Sequence, residues 1–284
     1  MIPAQFDYVR AGSLEEALAT LRERGEDAKV LAGGQSLIPL LRLRLAYPEV
    51  LVDVGRLAEL RGVREDGDHL VIGAMTTHDD VMHDPLVRRH CGIIAEATET
   101  VADPAVRHRG TFGGGLAHAD PAGDLPAVAL ALEAEFVIAS GSSRRTVPAT
   151  DFFVDYLQTA IRPDEVLVEV RVPKLGEGWG YCYEKFHRVA QAWAIVGVAA
   201  VVRRSNGSVA EARVGLTNMG TTPVRARAVE QALAGSSTDA IAEAAEHAAD
   251  GTSPPSDLGG QADYRQHLAR VLTRRALTAA AGVG

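Results

Sequence analysis

The sequence predicts an α+β protein with two domains, a larger N-terminal one and a smaller C-terminal one. Its 284 residues are enough for two cores, and with 46% hydrophobic and 23% charged residues the composition is typical of soluble globular proteins. Short apolar strands and amphipathic helical segments are mixed along the whole chain. The glycine-rich stretch 174–180 interrupts both patterns, which places the domains at 1–175 and 178–284.

In the N-terminal domain, the helix at 13–24 has the clearest start. Ser13 can cap it, and Glu16 stands three residues later, as in a capping box. Ser36 opens another helix, whose first turn contains Pro39, where the missing N–H does no harm. Apolar runs and turn residues predict the remaining elements: strands at 29–32, 50–54, 69–74, 134–139 and 166–172, and helices after Thr77 and at 86–100.

The C-terminal domain is predicted to be a short sheet covered by helices. A strand at 181–188 is followed by a buried strand or helix at 192–204. Asn206-Gly207 is typical of a two-residue hairpin turn, so a partner strand is expected at 210–216. Helical periodicity completes the chain with segments at 224–233, 239–249 and 264–280.

The charge and the cysteine count exclude several functional classes. With 37 acidic and 29 basic residues, the net charge of −8 repels nucleic-acid backbones and anionic lipids, so neither is an expected partner. Two cysteines are too few for a four-thiolate site, so any iron–sulfur cluster would belong to another chain. The longest apolar run, 192–202, is about half of the roughly 20 residues that a membrane span needs. The N-terminus lacks a signal-peptide pattern, and we therefore expect a cytoplasmic protein without a transmembrane segment.

The first candidate site is the segment 32–36, Ala-Gly-Gly-Gln-Ser, between a predicted strand and a predicted helix. Adjacent glycines allow several backbone N–H groups to point into one concavity, where an anionic oxygen can bind. A plain strand-to-helix turn explains the same residues, because glycine is common in such turns. Taken alone, the motif favours the plain turn.

The second candidate site is the run 110–115, Gly-Thr-Phe-Gly-Gly-Gly, in a stretch at 109–124 without helical or strand periodicity. It is not a P-loop, since no Gly-Lys-Ser/Thr follows, and a dinucleotide fingerprint would require glycine in place of His118. The Thr111 hydroxyl and four successive amides can hold a diphosphate, while the alternative is a glycine-rich surface loop. Two such segments in one domain favour a dinucleotide that contains a diphosphate.

Three further side chains are candidates, and each has an ordinary structural alternative. Asp124 can accept a hydrogen bond from a sugar hydroxyl, or it can mark the start of the next helix. Lys185 lies on an alternating strand and faces either solvent or a ligand between the domains. Trp193 is either a core residue or a ring that stacks near an aromatic cofactor. His108 and His118 have no third ligand at a fitting spacing, so no metal site is expected.

Four segments together resemble the flavin subunit of the molybdenum hydroxylases, most closely the medium chain of the aerobic carbon monoxide dehydrogenase type. Xanthine dehydrogenase carries a similar flavin module. The segments follow one another in order across nearly the whole chain, so the resemblance is to a whole architecture. They are AGGQSLIPLLRLRLAYPEVLVDV at 32–54, ADPAVRHRGTFGGGLAHADPAGDLPA at 102–127, YEKFHR at 183–188 and GLTNMGTTPVRA at 215–226.

The resemblance implies FAD bound between a two-part N-terminal domain and the C-terminal domain. The N-terminal domain would be of the PCMH or vanillyl-alcohol-oxidase-like type, with subdomains at about 1–56 and 57–175. Gln35 stands where histidine is frequent, and Phe112 replaces an aliphatic residue, but neither disturbs the glycines. The implied FAD contacts are Ala32, Gly33, Gly34, Gln35, Ser36, Gly110, Thr111, Phe112, Gly113 and Gly114 at the diphosphate, Asp124 at the ribose or ribityl chain, Ala102 and Leu167 in the flavin or adenine pocket, and Lys185 and Trp193 at the flavin.

The function that the resemblance implies is electron transfer. Substrate would be oxidised at a molybdopterin centre on a large chain, and electrons would pass through 2Fe-2S clusters on a small chain to the FAD of this one. The FAD would then reduce an external acceptor. The expected assembly is a dimer of heterotrimers, which predicts an exposed apolar patch for the partner chains. No residue of this chain is expected to be catalytic, and its sequence does not name the substrate.

Two alternatives remain open. One is a self-contained FAD oxidoreductase of the same fold, similar to UDP-N-acetylmuramate reductase or a vanillyl-alcohol-type oxidase. It would need its own acid or base beside the flavin, and no residue is an obvious candidate. The other is a non-redox scaffold that has lost the flavin. The intact glycine segments and Asp124 argue against it.

Overall fold

The computed structural model describes residues 2–283 and confirms the α+β class. The strands are β1 (Asp7–Arg10), β2 (Ala28–Leu31), β3 (Val50–Asp53), β4 (Val63–Asp66), β5 (His69–Gly73), β6 (Glu135–Ser140), β7 (Ser143–Pro148), β8 (Phe153–Asp155), β9 (Gln158–Thr159), β10 (Val166–Pro173), β11 (Trp179–Phe186), β12 (Val196–Ser205), β13 (Ser208–Thr217) and β14 (Val224–Arg225). The helices are α1 (Leu14–Arg24), α2 (Leu37–Leu43), α3 (His78–His83), α4 (Pro85–His90), α5 (Gly92–Glu99), α6 (Pro104–Arg107), α7 (Phe112–His118), α8 (Asp124–Ala131), α9 (Ala149–Phe152), α10 (Arg227–Leu233), α11 (Ile241–Ala245) and α12 (Ala262–Ala280). Short 3-10 helices lie at Gly25–Asp27, Ala58–Leu60, Thr238–Ala240 and Glu246–Ala249.

The first part of the N-terminal domain is a parallel sheet of three strands in the order β1-β3-β2, with α1 packed on it. Ser13 caps α1 by accepting the Glu16 N–H at 3.2 Å. The Glu16 carboxylate accepts the N–H of Gly12 at 2.7 Å, one residue before the position that a standard capping box uses. The sequence predicts this cap but not β1, because the residues of β1 are mostly exposed and lack apolar alternation.

The second part is an antiparallel sheet of five strands in the order β4-β5-β10-β6-β7. Successive side chains of β6 point to opposite faces of the sheet and pack in two different cores. Phe136 and Ile138 join a core with the helices α5, α7 and α8, whereas Val137 and Ala139 join the core beneath α1. The two parts of the N-terminal domain therefore share one continuous packing arrangement through this sheet.

The C-terminal domain is an antiparallel sheet in the order β11-β12-β13-β14. One face packs against α10 to α12, and the other packs against α8 of the N-terminal domain. Along β12, Val198 and Ala200 belong to the core with α12, while Ala199 and Val201 belong to the core with α8. The approach of α8 is so close that a Cβ on Gly215 would lie 2.2 Å from the Ala127 carbonyl oxygen. The two domains are thus joined through a buried apolar interface.

The glycine-rich stretch differs from the prediction, because residues 112–118 form the helix α7. Each helical glycine costs about 1 kcal/mol relative to alanine, so tertiary contacts must stabilise this helix. Thr111 caps it by accepting the Gly114 N–H at 3.2 Å. A Cβ on Gly113 would lie 2.5 Å from the Ala74 side chain, so glycine permits the helix to pack directly on the sheet.

Other boundaries also differ from the predicted ones. The helical stretch predicted at 86–100 is two helices that meet at Cys91. Residues 224–225, predicted as the start of a helix, form the edge strand β14, and the helix α10 begins at Arg227. The ambiguous segment at 192–204 is a strand from Val196, preceded by a loop. No helix within residues 2–283 is long and apolar enough to cross a membrane.

Candidate cofactor site

The two glycine segments meet in space. A Cβ on Gly33 would lie 2.2 Å from the carbonyl oxygen of Arg109 and 2.8 Å from the Cα of Gly110. A Cβ on Gly114 would lie 2.5 Å from the Thr111 hydroxyl. The backbones therefore touch without intervening side chains, and the structure brings the predicted diphosphate segments into one place.

The first segment provides the open backbone donors. It links β2 to α2, and Gly34 adopts a positive φ of 76° there. Within the described chain, the N–H groups of Gly33, Gly34, Gln35 and Ser36 donate no hydrogen bond. These residues are half-buried or exposed, so four successive amides are available to an anionic ligand.

Most amides of the second segment are already bonded within the protein. Phe112 N–H donates to the Thr76 carbonyl and Gly113 N–H to the Ala74 carbonyl, both at 2.9 Å. Gly110 N–H donates to the carbonyl of Val106 at 2.7 Å. The expectation of four free successive amides here is therefore wrong. Of the amides at 110–114, only that of Thr111 donates to no described residue.

Phe112 and Leu167 support the site from the core. Both side chains are buried in the same apolar core, at 3% and 7% exposure. Leu167 lies on β10 opposite Ile138, next to a bulge that separates Leu167 from Glu169. Val168, within that bulge, accepts a hydrogen bond from Ala74, the residue on which Gly113 packs. Direct contacts of Phe112 and Leu167 with a cofactor stay predictions.

His78 packs against the second segment. The sequence indicates a helix that starts after Thr77, but it does not single out His78. Its N–H donates to the Gly110 carbonyl at 2.9 Å, and its ring edge borders Gly110 and Gly115. Burial, with a smaller contribution from Arg107, lowers the pKa of His78 from 6.5 to about 4. Its Nδ1 atom is buried without a hydrogen-bond partner among the described residues. The ring is therefore neutral at physiological pH.

Asp124 and Lys185 form a buried ion pair across the two domains. The Lys185 ammonium donates to the Asp124 carboxylate and to the Thr100 carbonyl, each at 2.9 Å, and Tyr183 donates to the other carboxylate oxygen at 2.6 Å. Both charged side chains are only 3% exposed. Burial raises the pKa of Asp124, and Lys185 and Tyr183 oppose that rise by stabilising the carboxylate.

These contacts bear on the alternatives that the sequence leaves open for Asp124 and Lys185. Asp124 is the first residue of α8, whose N-cap is Gly123 without a side-chain cap, so Asp124 does not cap the helix. Its carboxylate is occupied by protein donors, and its contact with a sugar hydroxyl stays a prediction. Lys185 shares a strand face with Tyr183, as the alternation predicts, and it faces the domain interface rather than solvent.

The remaining predicted residues lie at the edges of this arrangement. Ala102 follows α5 with a positive φ of 43°, two residues beyond the carbonyl that Lys185 holds. Trp193 is 56% exposed on the loop between β11 and β12, and it is not a core residue. His108 and His118 each face an acidic side chain. Within residues 2–283, no three potential ligand side chains are grouped as a metal site.

Asn218 is a further residue that the sequence did not single out. Its backbone N–H donates to the Pro121 carbonyl of the N-terminal domain, and its side-chain amide donates to the Ala194 carbonyl, both at 2.8 Å. It has a positive φ of 62° and is buried. Asn218 thereby ties the loop that carries Trp193 to the loop before α8. In the sequence, the only indication of a role for Asn218 is that it lies in the segment 215–226, one of the four segments that carry the family resemblance.

Comparison with known proteins identifies the family. Residues 4–175 match the model of the FAD binding domain in molybdopterin dehydrogenase, and residues 181–280 match that of the CO dehydrogenase flavoprotein C-terminal domain. The chain belongs to the FAD-binding medium chains of the molybdenum hydroxylases. It is an oxidoreductase subunit, and FAD is its cofactor.

Individual relatives of this medium chain match over its whole length. It is 44% identical to the carbon monoxide dehydrogenase medium chain of Hydrogenophaga pseudoflava, covering 99% of this chain and 98% of the relative. It is 38% identical to the 6-hydroxypseudooxynicotine dehydrogenase complex subunit alpha of Paenarthrobacter nicotinovorans, covering 99% and 96%. Among solved structures, reconstituted CO dehydrogenase from Oligotropha carboxidovorans superposes with a TM-score of 0.97 at 40% identity, covering 100% of both chains.

The residues of this medium chain fit FAD. The four amides of the first segment and that of Thr111, which donate to no described residue, are suited to the oxygens of a diphosphate. The glycines let the two segments approach each other closely, since a Cβ on Gly114 would lie 3.6 Å from the Ala32 side chain. Asp124, which pairs with Lys185 at the domain interface, begins the helix that follows α7 in the chain.

Proposed function

We propose that this medium chain is the electron-transfer subunit of a molybdenum hydroxylase complex. It takes electrons from iron–sulfur clusters on a small partner chain and passes them to an external acceptor. The observation that carries the proposal is the set of amides at 33–36 that donate to no described residue, in a chain of this family. Bound FAD supplies the redox chemistry, while the residues of this chain bind and orient it.

We assign the binding roles as follows. The amides of 33–36 and of Thr111 hold the diphosphate, and Gly110, Gly113 and Gly114 let the second segment approach it. Ala102 and Leu167 border the ring pockets, Lys185 and Asp124 lie at the domain interface beside them, and Trp193 lies on a loop of the C-terminal domain. Enzymes named for carbon monoxide, glyceraldehyde and nicotine include chains similar to this one, which supports a substrate site on another chain.

The two cysteines support a partner chain as the source of the electrons. Cys91 and Cys182 are both buried, and burial raises the pKa of each thiol to about 12. Metal ligation requires thiolates, and these thiols stay protonated at neutral pH. The iron–sulfur clusters of the complex therefore belong to the small chain in this proposal.

Exposed apolar side chains offer a surface for partner chains. Ile38, Leu43, Leu45 and Tyr47 lie on α2 or directly after it, and Leu45 is 68% exposed. Such a cluster on a chain with a net charge of −8 is typical of a protein–protein contact. We propose a heterotrimer with a large molybdopterin chain and a small iron–sulfur chain, paired into a dimer of heterotrimers.

The proposal is tested with the purified full chain and its partner chains. The chain alone should show a flavin spectrum without iron–sulfur features, and acid should release FAD. Substrate of the complex should bleach that spectrum only when the large and small chains are both present. Bleaching by a substrate without partner chains would instead indicate a self-contained oxidoreductase. A colourless chain that takes up no added FAD would contradict the proposal.

A further inference from the structure

A buried tyrosine donates a hydrogen bond to the ion pair of the domain interface. Tyr183 on β11 donates to the Asp124 carboxylate at 2.6 Å, and its own exposure is 6%. Burial and the neighbouring Asp124 raise its pKa well above 10, so the hydroxyl stays protonated and remains a donor. A Cβ on Gly197 would lie 2.6 Å from this hydroxyl, so a glycine on the adjacent strand provides the space for it. The hydroxyl is thus built into the interface.

The ion pair links the Tyr183 hydroxyl to the backbone that follows α5. Lys185 has two acceptors here, Asp124 and the Thr100 carbonyl. A buried carboxylate stays ionised only when donors compensate for lost water, and Tyr183 is one of its two side-chain donors. Losing that hydroxyl would favour the protonated carboxyl and weaken the attraction that holds the Lys185 ammonium in place.

The segment held by Lys185 is conformationally constrained. We call residues 100–103 the strap. Arg107 donates to the carbonyls of Glu99 at 3.2 Å and Val101 at 2.9 Å, while Lys185 holds the carbonyl between them. Ala102 then adopts a φ of 43°, which L-residues with a side chain rarely adopt. Such a conformation persists where the surrounding structure imposes it, and it is concentrated at ligand-binding sites.

We propose that Tyr183 is a positioning residue for the FAD site, acting through Asp124 and Lys185 on the strap. The inference rests on the proposed cofactor site, because the strap contains Ala102 and leads through α6 to the second glycine segment. Tyr183 itself touches neither glycine segment in the described contacts. Its hydroxyl keeps the carboxylate charged, the carboxylate holds the ammonium, and the ammonium holds the strap in its binding conformation.

The test compares Tyr183→Phe with Arg225→Gln in the full chain. Arg225 is the matched control because it also bridges the domains, donating to Leu130 and Glu133 at the other end of α8. We measure the FAD dissociation constant, the visible spectrum of the bound flavin and the unfolding midpoint of the FAD-free chain. Tyr183→Phe should raise the dissociation constant at least about tenfold and change the spectrum, because it removes a hydrogen bond to a charged group. Arg225→Gln should lower the midpoint without either change.

A double-mutant cycle tests whether Tyr183 acts through Lys185. In a Lys185→Met background, Tyr183→Phe should have little additional effect on FAD affinity, since the link to the strap is already broken. Additive effects would overturn the inference, and so would equal FAD affinities of wild type and Tyr183→Phe. If Tyr183→Phe does not fold, Asp124→Asn is measured in its place, with the same expected loss of affinity. A wild-type chain that binds no FAD would overturn the proposed function as well as this inference. A wild-type chain that binds FAD no more tightly than Tyr183→Phe would overturn this inference alone.

Discussion

Gly33 contacts Arg109 so closely that a Cβ on the glycine would lie 2.2 Å from the arginine carbonyl oxygen. Non-bonded carbon and oxygen atoms do not approach to this distance, so any side chain at position 33 must separate the two glycine segments. The amides of the first segment keep their position relative to Thr111 only while this backbone contact persists. The contact therefore connects a local sequence motif to the geometry of the cofactor site.

We expect Gly33→Ala to lose FAD while the protein still folds. Overpacking of this kind costs about 1–3 kcal/mol, and here it displaces the diphosphate segments. The FAD-to-protein ratio after purification and the unfolding midpoint are the measurements. Gly176→Ala is the control, because a Cβ there has no neighbour within 4 Å. Full FAD occupancy in Gly33→Ala would show that the contact does not shape the site.

Gly114→Val should abolish FAD retention. The Cβ alone would lie 2.5 Å from the Thr111 hydroxyl and 3.6 Å from the Ala32 side chain, so the branched side chain would fill the space between the two segments. Far-ultraviolet circular dichroism should remain that of the wild type, and the absorbance of bound flavin should disappear. A Gly114→Val chain that keeps its full flavin content would mean that the diphosphate lies elsewhere.

His78 should make the free energy of unfolding depend on pH. Its pKa is lowered from 6.5 to about 4, so between these values the unfolded chain binds a proton that the folded chain does not. Above pH 6.5 the His78 side chain does not lower the free energy of unfolding. As the pH falls from 6.5 towards 4, the free energy of unfolding decreases by up to about 3 kcal/mol.

Urea unfolding at pH 7 and pH 4.5 measures this dependence. The difference between the two pH values should shrink in His78→Gln, which cannot titrate. It should stay unchanged in Gly176→Ala, because a Cβ there has no neighbour within 4 Å. An unchanged difference in His78→Gln would contradict the role assigned to burial.

Lys185→Met should destabilise the chain strongly. It leaves the Asp124 carboxylate buried without its cation, and breaking a buried pair in this way costs about 3–5 kcal/mol. Urea unfolding of the FAD-free chain measures the loss. Arg203→Met is the control, because its partner Glu211 and the arginine itself are 36% and 44% exposed, and such surface pairs contribute about 1 kcal/mol or less. Similar small losses in both variants would mean that the pair is not effectively buried.

Features set by neighbouring residues could be predicted from the sequence. The Ser13 cap depends on residues within one helical turn. The turn at Asn206-Gly207 has positive φ values of 51° and 81°, which these two residue types tolerate, so the hairpin is encoded locally. The glycine segments and Lys185 can be singled out from the sequence as positions to consider, and their contacts with FAD stay predictions. For the same local reason, β1 was missed, because its exposed residues have no pattern of their own.

The sequence by itself determined the α+β class, the family, the cofactor and the segments in which its site is sought. The tertiary structure decided which groups in those segments are available. The amides of Phe112 and Gly113 are bonded because the Thr76 and Ala74 carbonyls lie opposite them. Asp124 and Lys185 meet only because the domains pack together. A hydrogen bond or an ion pair requires two groups within a few ångströms, and for residues distant along the chain only the fold brings them that close.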